Sequence, residues 1–233
     1  MMNYIKVSFL AGIIMISNSL IAQDSLQFNK TSEYDKITDK EGNVYRTVVI
    51  GNKIWMAENL KVTKYRNGEP IAITPNYNTD ISNEKEPKYV WAYNGRDSLV
   101  NNYGRLYTWY VVQDGRGICP DGFRVPTDVD WASLINSEEG DVVAGGKLKE
   151  VGLKHWIKPN QGATNETGFT ALPGGYREND GKYYVHGFRG YWWSSKNNYV
   201  YMAWNTSLVY SNAIIEKNER IKKNGLSVRC VKN

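Results

Sequence analysis

The chain has few of the side chains from which metal and catalytic centres are built. Among its 233 residues there are two histidines, His155 and His186, and two cysteines, Cys119 and Cys230. Zinc sites draw three or four ligands from histidine, cysteine and carboxylate side chains, and neither histidine has a partner at that spacing. We therefore predict that the protein holds no metal ion and needs no cofactor.

Motifs for nucleophilic catalysis and for calcium binding are also missing. Ser194 and Ser195 lack the Gly-x-Ser-x-Gly context that exposes an activated serine. Residues 39–43 alternate carboxylates and an amide around Gly42, but the spacing that ends in the bidentate glutamate of a calcium loop is absent. We favour a hairpin turn at 39–43, and we predict that the protein is not an enzyme.

Long apolar runs are scarce as well. An apolar run at 7–16 is preceded by Lys6 and followed by a more polar stretch ending at Ala22, which is the layout of a secretory signal. The run is shorter than the roughly 18 apolar residues that a transmembrane helix takes, and nothing later approaches that length. We expect cleavage after Ala22, no transmembrane segment in the mature chain, and a location in the periplasm, at the cell surface or in the medium.

Charge of one sign is not in large excess. Loss of Lys6 with the signal leaves 28 basic and 24 acidic residues, a net charge of +4. The basic residues are interleaved with acidic ones and do not form the clustered stripe by which proteins bind nucleic acids. We predict no nucleic-acid partner.

Tryptophan and tyrosine, in contrast, are abundant. The chain has 8 Trp and 17 Tyr but 5 Phe. Both abundant types combine a large apolar body with a hydrogen-bond donor at the tip, which suits a loop-rich core and equally suits a recognition surface. Both uses are open at this point.

The mature length favours one large domain with a short lead-in. Residues 23–36 are polar and lack periodicity, which predicts a flexible lead-in before a domain at 37–233. Residues 45–50 and 53–56 are rich in β-branched and aromatic side chains around a Gly51 turn, which predicts a hairpin. A helix is predicted from a Thr127 cap to Ser137, and a second over 142–151, weakened by two glycines.

The last third of the chain has β patterns. Residues 169–177 and 182–188 flank a turn at 179–181, which predicts a second hairpin, and 226–231 predicts a closing strand. Residues 199–204 alternate, which predicts a strand with two different faces. The predicted core face has Val200, Met202 and Trp204, and the opposite face has Tyr199, Tyr201 and Ala203.

Cys119 and Cys230 are the two cysteines of a chain that we expect to enter an oxidising compartment. A disulfide is the usual outcome there. It would close a loop of roughly 110 residues, for which chain entropy assigns up to about 4.7 kcal/mol of stabilisation. Such a bond would tie the C-terminal strand to the middle of the chain.

Eight ordered segments resemble the Fibrobacter succinogenes major paralogous domain, a family widespread in exported proteins of Bacteroidetes and Fibrobacteres. The longest reads VIGNKIWMAENL at 49–60, and another reads ICPDGFRVPT at 118–127. The remaining segments lie at 103–109, 145–149, 163–169, 172–175, 191–195 and 227–231. The resemblance extends from about residue 39 to the last residue.

This resemblance implies an α+β fold similar to the C-type lectins. It implies two helices beside curled antiparallel strands, with the chain ends close together and a single disulfide between Cys119 and Cys230. Calcium-dependent lectins of that group carry Glu-Pro-Asn or Gln-Pro-Asp and a Trp-Asn-Asp triplet. Here Lys88 follows Glu86 and Pro87, and Thr206 follows Trp204 and Asn205, so a calcium-bridged sugar site is not expected.

Three functions are consistent with these observations. The first is a binding module that presents aromatic rings to a polysaccharide, a glycan or a surface protein, with the candidates Trp192, Tyr183, Tyr199 and Tyr201. The second is an oxidoreductase resembling the formylglycine-generating enzymes, which use a reactive cysteine pair with copper, but both cysteines here match structural positions. The third is a cell-surface assembly protein without a small ligand. We favour the first.

Overall fold

The computed structural model of the chain describes residues 26–197 and 199–233. The predicted secretory signal at 1–22 lies outside the described residues. No helix in the described part is long and apolar enough to cross a membrane.

The largest sheet contains both the first and the last strand of the described residues. Its five antiparallel strands are β1 (Asp35–Thr38), β2 (Val44–Ile50), β3 (Lys53–Met56), β6 (Phe123–Arg124) and β12 (Val231–Lys232). They are ordered β1-β2-β3-β12-β6, so the closing strand lies between β3 and β6. The hairpin predicted at 45–56 is confirmed as β2 and β3, with Gly51 at a positive φ of 59° in the turn.

A second sheet and two short strand pairs contain the other strands of the described residues. The sheet contains β9 (Arg189–Asn197), β10 (Met202–Val209) and β11 (Ile215–Ile221), with β10 in the centre and all pairs antiparallel. The strand pairs are β4 (Val90–Trp91) with β5 (Leu106–Tyr107), and β7 (Tyr176–Arg177) with β8 (Tyr183–Tyr184), of which the second is a hairpin. The predicted turn at 179–181 is confirmed, with strands shorter than predicted.

The helices are α1 (Val100–Tyr103), α2 (Trp109–Val112), α3 (Asp128–Ser137) and α4 (Asp141–Leu148). Helix α3 confirms the predicted cap, because the Thr127 hydroxyl accepts the Asp130 backbone N–H and the Asp130 carboxylate accepts the Thr127 backbone N–H. Helix α4 stops before residue 151. A Cβ at Gly146 would lie 2.3 Å from the Gly162 carbonyl oxygen, so glycine permits close backbone packing there.

The core has two parts, one on each side of β9. Trp193 belongs to one part and Trp192 to the other, and their exposed fractions are 0% and 1%. The predicted disulfide between Cys119 and Cys230 is confirmed, and it lies in the same part of the core as Trp193. The strand is therefore covered on both faces, so Trp192, which we predicted as a ligand-binding candidate, is buried.

The predicted faces of residues 199–204 are wrong. Val200 is 74% exposed, Met202 and Trp204 are half-buried, and Ala203 from the opposite predicted face is fully buried. Regular strand geometry starts at Met202, and a register shift between Ala203 and Asn205 interrupts the pairing with β9. Strict alternation does not hold through such an irregularity.

The predicted flexible lead-in is packed on the domain from Gln27 onward. The Gln27 backbone N–H donates to Glu150 Oε1 at 2.7 Å, and the Tyr34 hydroxyl donates to the Gly168 carbonyl at 3.0 Å. The Arg46 guanidinium lies 4.1 Å from the centre of the Phe28 ring. The lead-in appeared flexible in the sequence because these partners lie far along the chain.

The Asn59 side chain joins three distant segments within the core. Its Oδ1 accepts hydrogen bonds from the Trp192 indole at 2.8 Å and from Arg229 Nη2 at 2.9 Å. Its Nδ2 donates to the Tyr103 carbonyl at 2.8 Å. Trp192, Arg229 and Asn59 are each about 1% exposed, so these bonds replace hydration that the groups lose on folding.

Candidate functional site: a tyrosine cluster

Three partly exposed tyrosines from separate segments meet beside the β7–β8 hairpin; we call Tyr77, Tyr93 and Tyr183 the tyrosine cluster. The centre of the Tyr183 ring lies 5.1 Å from that of Tyr93 and 6.1 Å from that of Tyr77. The Tyr183 hydroxyl donates to the Tyr77 carbonyl at 3.0 Å. Tyr77 is 48% exposed, so the cluster presents aromatic surface to solvent.

Two glycines allow the rings of the tyrosine cluster to lie against the backbone. A Cβ at Gly95 would lie 2.9 Å from the Tyr77 ring, and a Cβ at Gly175 would lie 2.9 Å from the Tyr93 ring. Both glycines have positive φ, 68° and 64°. Any larger residue would be strained there and would displace a ring, so the ring positions depend on glycine.

The buried Arg177 side chain holds the loop that carries Tyr77. Its guanidinium donates to the carbonyls of Tyr77, at 3.1 Å, of Glu178, at 2.9 Å, and of Thr79. It also lies 4.1 Å from the centre of the Trp91 ring. Arg177 is fully buried, so it supports the tyrosine cluster from beneath and does not reach the solvent.

A cleft of about 230 Å³ opens beside Tyr77. Tyr77, Trp91 and the 69% exposed Ile73 line it with apolar surface. Asp97 and Arg105 also line it and form an ion pair at 3.1 Å. The cleft thus combines apolar walls with a few polar groups, as small-molecule sites do, but it is smaller than their typical volume of about 300–1,000 Å³.

The hydroxyl groups of Tyr93 and Tyr183 stay protonated at neutral pH. Burial raises the pKa of Tyr183 to about 12 and also raises the pKa of Tyr93. A neutral phenol combines an apolar face with a hydroxyl that donates and accepts hydrogen bonds. These rings can therefore stack on a ligand and hydrogen-bond it at the same time.

The structure separates the four aromatic residues predicted from the sequence. Tyr183 belongs to the tyrosine cluster. Trp192 is buried and bonded to Asn59, so it cannot reach a ligand, which corrects the prediction. Tyr199 and Tyr201 are 60% and 74% exposed between β9 and β10, and no ring contact among the described residues joins them to the cluster.

Sequence reasoning missed Tyr77 and Tyr93. Tyr77 lies in a loop rich in Asn and Thr, and Tyr93 opens a short 3-10 helix at Tyr93–Gly95, so neither shows a periodic pattern. The nearest sequence signal was Gly95, because a glycine after Asn94 indicates a positive φ but does not indicate which ring lies against it.

Both histidine rings lie close to the ring of Tyr103. The His155 ring centre is 5.5 Å and the His186 ring centre 4.4 Å from that of Tyr103. His155 Nδ1 lies 2.6 Å from Glu150 Oε2, and both side chains are buried. Burial lowers the pKa of His186 to about 4, with smaller contributions from Arg96 and His155, so its ring is neutral at neutral pH.

The carboxylate of Asp39 serves the turn at 39–43. It accepts the backbone N–H groups of Glu41 and Asn43, at 2.9 and 3.0 Å, and the Asn43 side-chain amide at 2.8 Å. It also accepts the Tyr45 hydroxyl at 2.7 Å. Four donors thus surround the Asp39 carboxylate, which in a calcium loop would bind the ion instead. The predicted hairpin turn at 39–43 is present.

One comparison with known proteins identifies a family. The model of the Fibrobacter succinogenes major domain matches residues 48–232, a range that includes the disulfide and all three tyrosines of the cluster. No curated protein and no solved structure matches the chain. Since the match spans well over half of the sequence, the chain belongs to the Fibrobacter succinogenes major domain family.

Proposed function

We propose that the protein is an exported, non-catalytic module that binds a polysaccharide or glycan through the tyrosine cluster. The observation that carries this proposal is the convergence of Tyr77, Tyr93 and Tyr183. Of these, Tyr77 also lines a cleft whose charged residues are Asp97 and Arg105. The C–H face of a sugar ring packs on the face of a tyrosine, while its hydroxyls accept from Arg105 and donate to Asp97.

The rigid support of the tyrosine cluster favours binding. Rings that rest on Gly95 and Gly175, in a loop held by Arg177, lose little conformational freedom when a ligand stacks on them. Tyrosine has two side-chain torsions, so it supplies large contact area at low entropic cost. Preorganisation of this kind increases affinity without adding contacts.

The bonded cysteines count against the copper-dependent oxidoreductase. Cys119 and Cys230 form a disulfide and are 2% and 0% exposed. Cysteine reactivity depends on an accessible thiolate, so a buried disulfide is suited to a structural role. This observation supports the non-catalytic proposal.

A cell-surface assembly role is the second candidate, and one observation favours it. Tyr199, Val200 and Tyr201 are consecutive and each at least 60% exposed. Contiguous exposed apolar side chains often mark protein contacts. Sedimentation velocity of the wild-type protein and a Val200→Asp variant would detect such contacts, because the variant should lose any concentration-dependent association.

We propose a C-type-lectin-like arrangement for this domain. In its support, the first and last described strands share one sheet, and helices α3 and α4 are each longer than two turns. The disulfide joins Cys230, next to the last strand, to Cys119 in the middle of the chain. An experimental structure superposed on C-type lectin domains would test it, and a different strand order in the main sheet would contradict it.

Export is tested at the N-terminus. Mass spectrometry of the protein recovered from cell fractions should find a chain that begins at Gln23. Recovery of intact Met1 from the cytoplasm would contradict export.

Glycan binding is tested with variants of the tyrosine cluster. The wild-type protein is screened on a glycan array, and the best ligand is titrated by calorimetry. Tyr77→Ala should weaken binding about tenfold, or about 1.4 kcal/mol, because it removes the most exposed ring. Tyr201→Ala removes an equally large exposed ring elsewhere and serves as the matched control. Equal effects of both variants, or no glycan bound at all, would overturn the proposal.

A further inference from the structure

A second cleft, of about 470 Å³, lies beside the disulfide. Its volume is within the range of about 300–1,000 Å³ that is typical of small-molecule sites. Two segments that carry the family resemblance, 118–127 and 191–195, supply parts of its walls through Cys119, Arg124 and Ser195. The tyrosine cluster does not contribute to this cleft.

The charged residues that line this cleft are Arg66, Arg124 and Lys196, and none of the described residues lining it is acidic. The side chains of Arg66 and Arg124 are each 38% exposed, and Lys196 is exposed. Several donors of the lining are bonded within the protein: the Gln113 amide donates to the Ser195 carbonyl, Arg66 to the carbonyls of Cys119 and Phe123, and Arg124 to Asp130. The lining therefore offers a ligand positive charge, the Lys196 ammonium and the guanidinium N–H groups that these bonds leave free.

Neighbouring carboxylates neutralise only part of this charge. Asp130 lies between Arg124, at 2.5 Å, and Lys53, at 3.1 Å. Asp121 lies between Lys40, at 2.6 Å, and Arg66, at 3.8 Å. Each carboxylate is thus shared with a lysine outside the cleft lining, and no ion pair of Lys196 is present among the described residues, so the lining keeps a net positive charge.

We propose that this cleft binds an oxyanion, a carboxylate or sulfate group carried by an acidic sugar. Guanidinium groups bind such oxygens through charge-assisted hydrogen bonds, and the lysine adds a mobile point charge at the mouth. The three basic side chains of the lining favour an anionic ligand over an apolar one. This inference rests on charge beside the disulfide and is independent of the tyrosine cluster.

The anion has two sources, a chain of acidic sugars or a free small anion, and titrations distinguish them. The purified protein is titrated by calorimetry with sodium sulfate, galacturonate, trigalacturonate and a neutral galactose trisaccharide. We expect trigalacturonate to bind at least about tenfold more tightly than the neutral trisaccharide. The affinity for trigalacturonate should fall as the NaCl concentration is raised. Trigalacturonate binding more tightly than galacturonate indicates a sugar chain, whereas equal binding of sulfate, galacturonate and trigalacturonate indicates a free anion; both support the oxyanion site.

Lysine variants locate the site. Lys196→Gln should lower the affinity for trigalacturonate about fivefold, or by about 1 kcal/mol, and Lys196→Glu should lower it further. Lys30→Gln removes the same charge from an exposed lysine that does not line the cleft, and it should have no effect. The glycan proposal is tested separately, with Tyr77→Ala and the best ligand from the glycan array, so its failure is distinguishable from failure of the oxyanion site. Binding of no anion, or equal losses with Lys196→Gln and Lys30→Gln, would overturn the oxyanion site.

Discussion

Replacing Asn59 by leucine should be among the most destabilising single changes in this domain. Leucine has a similar volume, so the change removes polar atoms without leaving a large void. Three buried partners lose a hydrogen bond: the Trp192 indole, the Arg229 guanidinium and the Tyr103 carbonyl.

The magnitude follows from the cost of unpaired buried groups. Each such group costs about 1–3 kcal/mol, and Arg229 retains its bond to the Phe169 carbonyl, so the loss should be about 4–6 kcal/mol. Natural domains have about 5–15 kcal/mol of stability in total. Asn59→Leu should therefore leave the protein close to unfolding at room temperature.

Guanidinium chloride unfolding, followed by tryptophan fluorescence with the disulfide intact, measures the effect. The midpoint should fall steeply at an unchanged slope. Asn101→Leu is the matched control, because Asn101 is exposed on α1 and its replacement should change stability by less than about 0.5 kcal/mol. A free energy of unfolding for Asn59→Leu within about 1 kcal/mol of the wild-type value would refute the argument that Asn59 satisfies these buried groups.

Three further outcomes are expected. Thiol titration of denatured, unreduced protein should find no free thiol from Cys119 or Cys230, and reduction should cost up to about 4.7 kcal/mol of stability; two free thiols would contradict the bond. Because burial lowers the pKa of His186 to about 4 from the ordinary value of 6.5, the unfolded chain takes up the proton first, so stability should fall as pH drops from 6.5 to 4. His186→Phe should make the urea midpoint less dependent on pH in this range. A midpoint that depends on pH as strongly in the variant as in the wild type would contradict this role of His186. Trp192→Ala should cost about 3–5 kcal/mol and Tyr201→Ala less than about 0.5 kcal/mol in unfolding experiments; the reverse order would mean that the burial of these rings is misassigned.

Local patterns predicted several elements because their causes lie within a few residues. The Thr127 cap and the Gly51 turn are local, and both appear where the sequence indicates. The prediction of two faces at 199–204 was wrong because pairing with β9 and β11 decides that the strand starts at Met202 and where its register shifts. The prediction that Trp192 binds a ligand was wrong because the period of a sequence does not reveal whether one or both faces of a strand are covered.

The sequence by itself determined the family, the disulfide pair, the main hairpin and the position of the capped helix. It also identified Tyr183, which is one of the three rings in the tyrosine cluster. Only the tertiary structure decided that Tyr77 and Tyr93 lie beside Tyr183, and that Arg66, Arg124 and Lys196 line a common cleft. The reason is that hydrogen bonds and turns act over a few residues, whereas a binding surface forms where segments far apart in the chain are brought together by the packing of the core.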